Sequence, residues 1–323
     1  MKVLITGAGG FIGSHLAEKC VELGFQVRAF VRYNSTNRWG WLDASPVKGE
    51  MEIVTGDIRD FDSVFKAVSG CQVVFHLAAL IGIPYSYISP LAYIKTNIEG
   101  AYNVLQSARE LNLEQVLITS TSETYGTAQY VPIDEKHPLV GQSPYSASKI
   151  AADQLALSYY RSFDLPVKIV RPFNTYGPRQ SARAVIPTIV TQILTGSKTL
   201  RLGNLAPTRD LTFVKDTVDG FISIYKSPEL FGEVTNVGMN EETSIGDLAQ
   251  AILKIMDSSK EMELEDQRVR PDNSEVEHLR CDNTKIMTKT GWCPNFNLVQ
   301  GLAETINWLK EHLSIYKPEI YNV

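Results

Sequence analysis

Short apolar, β-branched runs alternate along the first half of the chain with stretches in which apolar residues return every three or four positions. Runs at 3–6, 26–31, 52–54, 73–76, 115–119 and 167–170 predict strands. The stretches at 12–23, 63–68, 93–111 and 145–162 predict helices. Strand–helix alternation of this kind builds a doubly wound parallel sheet with helices on both faces. Such a sheet takes its ligand at the carboxyl ends of the strands, where the strand order reverses. Beyond residue 172 the pattern loosens. Helical patterns at 186–194, 216–224, 245–254 and 298–313 are separated by glycine- and proline-marked turns. The expectation is an α/β chain with one domain over 1–172, returning late to its sheet, and a smaller mixed α/β lobe over 173–323.

Composition narrows the partners. The 323 residues carry a net charge of −5, which argues against nucleic acid or an anionic membrane as a partner. The longest apolar stretch, 73–84, is too short to span a bilayer and contains His76. The first residues read as a strand rather than a secretion signal. Cys20, Cys71, Cys281 and Cys293 form no CxxC pair and lie at no metal-ligand spacing to histidine. Reduced thiols in a cytoplasmic protein without a metal are expected.

The first strand runs into Gly7-Ala8-Gly9-Gly10-Phe11-Ile12-Gly13, with glycines at 7, 10 and 13 in front of a helix. Glycines permit a tight turn and let backbone N–H groups approach a pyrophosphate, which the helix N-terminus stabilises. The 1–172 segment therefore reads as a Rossmann-type dinucleotide-binding domain. At the end of the second strand, where an NAD site usually has an acidic acceptor for the ribose, stands Arg32. A guanidinium suits the 2′-phosphate of NADP, with NAD as the alternative. Asp57, after the third strand, could accept from the adenine amino group.

Tyr145-Ser146-Ala147-Ser148-Lys149 puts a tyrosine and a lysine on one helix face. A phenol is a poor base at neutral pH. A neighbouring ammonium and the nicotinamide charge favour the phenolate, and the lysine can also hold the nicotinamide ribose.

These motifs, together with Asp57, His76-Leu77-Ala78-Ala79, Asn97, Ser120-Thr121 and Arg171-Pro172-Phe173-Asn174 in this order, resemble the extended short-chain dehydrogenase/reductase family over nearly the whole chain. The resemblance implies a nicotinamide cofactor, tightly bound and regenerated each turnover. It also implies a nucleotide-diphosphate sugar as substrate and a homodimer packed through the helices near 93–111 and 145–162. It assigns Gly7, Gly10, Phe11, Ile12, Gly13, Arg32, Asp57, Ile58, Leu77, Ala78, Ala79, Asn97, Tyr145, Lys149 and Pro172 to the cofactor. Thr121, Asn174, Arg209 and Arg270 fall to the substrate, with Arg183 and Arg179 weaker candidates that read as readily as surface charge. His76 reads as a strand-end residue near the cofactor.

Ser120-Thr121-Ser122-Glu123-Thr124-Tyr125-Gly126 is similar to the corresponding segment of GDP-mannose 4,6-dehydratase. From Thr121 to Pro178-Arg179-Gln180 the chain resembles the 4,6-dehydratases of the legionaminic-acid pathway, which act on GDP- or UDP-linked N-acetylglucosamine. The resemblance implies that Thr121, Ser122, Glu123, Tyr145 and Lys149 form the catalytic group. Tyr145 would take the 4-hydroxyl proton, Thr121 would hold that oxygen, and Glu123 would remove the C5 proton. Ser122 stands where other dehydratases have an aspartic acid for the C6 oxygen. A serine is too weak an acid for that role, so Glu123 is expected to serve both steps. UDP-glucuronate decarboxylases share a similar Thr-Ser-Glu segment but have arginine after the helix lysine; here it is Ile150. A decarboxylase or a UDP-sugar 4-epimerase is the alternative. A non-catalytic dinucleotide sensor would be expected to lose Tyr145, Lys149 or Glu123, and all three are present.

Overall fold

The computed structural model describes residues 1–196, 198–265 and 276–316. Among them, seven parallel strands form the central sheet. The first six are β1 (Lys2–Thr6), β2 (Gln26–Arg32), β3 (Met51–Gly56), β4 (Val73–His76), β5 (Gln115–Thr119) and β6 (Val167–Pro172). The seventh, Val234–Val237, lies beyond residue 172 and pairs with β6 at the sheet edge. Across the sheet the order is 234–237, β6, β5, β4, β1, β2, β3. Winding runs outward in both directions from the β1/β4 pair, so this is the doubly wound α/β fold that the alternation predicts.

Both faces of the sheet are covered. Val3 and Ile5 of β1 pack with Leu16, Ala17 and Cys20 of α1 (Phe11–Glu22) on one face. Leu4, between them, points to the other face and packs with Val64 and Val68 of α2 (Phe61–Val68) and Val104. That alternation is the period of two of a strand, with apolar residues at every position because neither face meets water.

Local chemistry sets the helix bounds. The helix Pro144–Phe163 opens with Ser143 and Ser146 capping each other and Pro144 in the first turn, and ends at Asp164 in the left-handed conformation. The expected helix over 93–111 is three pieces: Pro90–Tyr93, a π-helical turn Ile94–Glu99, and Gly100–Glu110. The wider turn brings Asn97 inside, where it bonds both backbone groups of Leu80 and the Ser148 hydroxyl. A reading of hydrophobic period alone cannot see that demand.

In the second half, helices Val185–Leu194, Val214–Lys226, Ile245–Ile255 and Leu298–Glu311 accompany three two-stranded ladders. Phe213, Phe221, Ile252 and Leu302 join the same apolar cluster as Val3 and Ile5. This half therefore packs directly on the sheet and shares its core.

Candidate active site

The strand ends and the second half enclose a cleft of about 1190 Å³. Its floor begins at the turn after β1. Gly7 has φ +70°, and a Cβ there would lie 2.8 Å from the Ala78 nitrogen. At Gly13 a Cβ would meet the Gly7 carbonyl oxygen at 2.2 Å. Only glycine lets the turn, the helix start and the β4 end approach this closely. Gly10 caps α1 with no side-chain hydrogen bond, and the first turn holds no acidic residue. This cradle fits a pyrophosphate: open backbone donors at the positive end of a helix, with room at the backbone.

Gly7, Gly10, Phe11, Ile12, Gly13, Arg32, Asp57, Ile58, Leu77, Ala78, Ala79 and Pro172 all line the cleft. Asn97 does not; it is buried behind the Leu80 loop that it holds. Asp57 is gripped by Arg59 through both carboxylate oxygens, which holds its pKa down to about 2. His76 is buried, bonded to the Thr6 hydroxyl at 2.8 Å, and pushed down to about 3 by desolvation, so it is neutral. Sequence reasoning missed the 34–40 segment. Asn34, Arg38 and Trp39 also line this end, placed by hydrogen bonds between Asn34 and the Arg38 backbone. An Asn-x-x-x-Arg turn after a strand carries no general signature.

Beyond the cradle, Thr121, Glu123, Tyr145 and Lys149 line the cleft together. Thr121 caps the short 3-10 turn Ser122–Tyr125 and so presents Glu123. Its side chain stands beside the Tyr145 phenol and favours the phenolate. Ser122 is buried and does not line the cleft. The Lys149 ammonium donates to the Thr119 carbonyl at 2.5 Å. Burial lowers the pKa of Lys149, with Asp153 opposing the shift. Without the nicotinamide charge, burial pushes the Tyr145 phenol up, while Thr121 pulls it back and Glu123 adds to the rise. The reason is desolvation of the phenolate together with the Glu123 charge, while the ammonium of Lys149 is turned to the strand end.

On the substrate side Asn174, Arg183 and Arg209 line the cleft. The Asn174 Oδ1 is buried with no partner among the described residues. Arg183 packs over Gly82, its Nη1 3.2 Å from where a Cβ would stand. Arg209 is anchored through the carbonyls of Thr208 and Val276. Arg179 is instead paired with Glu18 of α1 at 2.9 Å and does not line the cleft. Arg270 lies outside the described residues.

A sequence model of the GDP-mannose 4,6 dehydratase family matches residues 4–305. The chain belongs to that family. Within it, the chain is an extended short-chain dehydrogenase/reductase of the group containing nucleotide-sugar dehydratases, epimerases and decarboxylases. A UDP-N-acetyl-alpha-D-glucosaminuronate decarboxylase of Bacillus cytotoxicus is 34% identical over 321 residues, covering 96% of this chain and 98% of the relative. A dTDP-glucose 4,6-dehydratase from Streptomyces venezuelae, solved with NAD, superposes with TM-score 0.89 at 28% identity, covering 98% of this chain and 99% of that one. A UDP-glucuronic acid 4-epimerase from Bacillus cereus, solved with UDP-glucuronic acid and NAD, superposes with TM-score 0.87 at 27% identity, covering 97% and 100%. Three different reactions thus share this family fold, and the side chains around the sugar must separate them. Among the described residues, no helix is long and apolar enough to cross a membrane.

Proposed function

We propose that this family member is a 4,6-dehydratase, a hydro-lyase that converts GDP- or UDP-linked N-acetylglucosamine to the 4-keto-6-deoxy sugar nucleotide. The substrate is then that of the legionaminic-acid-pathway dehydratases. The observation that supports it most directly is the Glu123 carboxylate in the cleft wall, two residues from Thr121 and beside Tyr145. A nicotinamide dinucleotide held in the glycine cradle would supply a hydride store for oxidation at C4 and reduction at C6. Tyr145 takes the 4-hydroxyl proton, and Thr121 holds the same oxygen. The ketone acidifies C5. Glu123 removes that proton and passes it to the C6 hydroxyl, which leaves as water; as hydride enters at C6, a proton equivalent to the one taken by Tyr145, exchanged with solvent, is delivered to C5. Buried Ser122 takes no part as an acid.

The glycine cradle, Asp57, Ile58, Leu77–Ala79, Lys149 and Pro172 hold the cofactor in this reading, with residues 1–172 as its domain. Arg32 favours NADP; the alternative, NAD, is what the two solved relatives hold. The 173–323 lobe holds the nucleotide sugar through Asn174, Arg183, Arg209 and Arg270. The Asn174 Oδ1, buried in the cleft wall without a partner among the described residues, is the acceptor this reading gives to a sugar hydroxyl.

A decarboxylase is the second reading, favoured by the Bacillus cytotoxicus relative. Half-buried Ile150, next to Lys149, offers no cation for a substrate carboxylate. The two separate in one experiment: incubation with GDP- and UDP-N-acetylglucosamine and with the UDP-linked uronates in D2O, followed by NMR. The expected product is a 4-keto-6-deoxy sugar with deuterium at C5. Carbon dioxide from a uronate, or inversion at C4 alone, would reject the dehydratase.

A further inference from the structure

Behind Tyr145 and Lys149 lies a charged cluster that the proposed chemistry does not use. Asp153 is one helical turn beyond Lys149, on the same helix face, and is 0% exposed. Its Oδ2 accepts from the Ser120 hydroxyl at 2.5 Å and from Nη2 of Arg171, on β6, at 2.7 Å. Arg171 closes the triangle by donating from Nε to the Ser120 Oγ at 3.2 Å. Its guanidinium also stacks on the Tyr125 ring, 4.6 Å from the centroid. Tyr125 ends the turn that carries Glu123, and its hydroxyl donates to Asn236 at 2.8 Å. The cluster therefore grips, from behind, both short segments that carry the reactive groups. Ser120 sits between Thr119, whose carbonyl takes the Lys149 ammonium, and Thr121, which stands beside Tyr145.

Charge gives the cluster a second effect. Lys149 is buried among His76 of β4, Arg171 of β6, and Tyr145 and Asp153 on its own helix. His76 is neutral, Arg171 repels the ammonium, and Asp153 is the carboxylate that attracts it. A buried ammonium without a nearby anion gives up its proton readily.

We propose that Ser120, Asp153 and Arg171 are positioning residues that lock the 119–125 segment onto the 144–163 helix, with Asp153 balancing the Lys149 ammonium. The consequence for turnover rests on the roles given above to Tyr145 and Lys149. The hold on Lys149 is measurable without them.

The test is competitive acetylation of the cofactor-free protein with acetic anhydride across pH, resolved at Lys149 by mass spectrometry, with thermal midpoints as the check on folding. Asp153→Asn is expected to lower the Lys149 titration midpoint by about one unit, since a buried anion within one turn is lost. Ser120→Ala removes one hydroxyl and keeps every charge. It is expected to leave the midpoint unchanged and raise the limiting acetylation rate about threefold, as the grip on Thr119 slackens. In the holoenzyme Ser120→Ala should lower kcat about tenfold with KM within about twofold. Asp153→Asn should move both limbs of the kcat–pH profile to lower pH, and Asp153→Glu should restore them. A purely structural role would scale activity with the folded fraction and leave Lys149 titration and both limbs in place; that result overturns the proposal. Should Asp153→Asn fail to fold, Ser120→Ala decides alone, and wild-type acetylation and kcat would sink the idea. Altered Lys149 chemistry in a protein that makes no 4-keto sugar would reject the dehydratase reading and leave the clamp standing.

Discussion

Glu123 and Arg32 each carry one part of the reading on a single side chain. Glu123 faces the cleft beside Tyr145, and no other carboxylate from its segment does. Glu123→Gln keeps the shape and removes the base. We expect cofactor binding unchanged and kcat lowered by about 10²-fold or more, from steady-state rates and cofactor fluorescence titration. Near-normal turnover would remove Glu123 from the chemistry. Arg32 ends β2 and lines the cleft, with Asp57 next to it already occupied by Arg59. Arg32→Ala should weaken NADP about tenfold or more and NAD by less than about threefold, measured as Kd for each. Equal losses for both would mean that Arg32 does not read the 2′ substituent. Both residues were legible in the sequence, because position after a strand fixes which end of the cleft a residue faces. The upward shift of Tyr145 was not, because desolvation depends on what the fold places around the phenol.

At the scale of elements, hydrophobic period located the first six strands of the sheet and most of the helices. Ser143 and Pro144 start the 144–163 helix, one residue before the expected 145. The π-helical turn at Ile94–Glu99 left no mark in that period, since it answers to the hydrogen bonds of Asn97. The helices flanking the site also present apolar side chains outward. Leu91 is 59% exposed, Ile94 50% and Tyr102 43%, with Tyr160 and Phe163 exposed on the neighbouring helix. The two helices are tied by Tyr159 to Gln106 and by Arg109 stacked over Phe163. An apolar stripe shared by two packed helices is the surface we propose for a homodimer. Light scattering should give twice the chain mass for the wild type and a single chain mass for Leu91→Asp/Ile94→Asp with an unchanged circular dichroism spectrum. A monomeric wild type would refute the dimer.

The whole molecule is a sheet that offers its strand ends to a half of the chain folded over them. Strand–helix alternation, the glycine turn and the Tyr-x-x-x-Lys spacing are local patterns. Each reflects interactions within a few residues, and together they determined the α/β class, the glycine cradle and the helix that carries Tyr145 and Lys149 from sequence alone. Other features bring together groups far apart in the chain. The strand 234–237 completes the sheet, Arg171 meets Asp153 behind the site, Arg179 is drawn away to Glu18, and Ser122 is buried while Glu123 is not. Only the tertiary structure decided these, because burial and ion pairing depend on which distant side chains arrive at the same place.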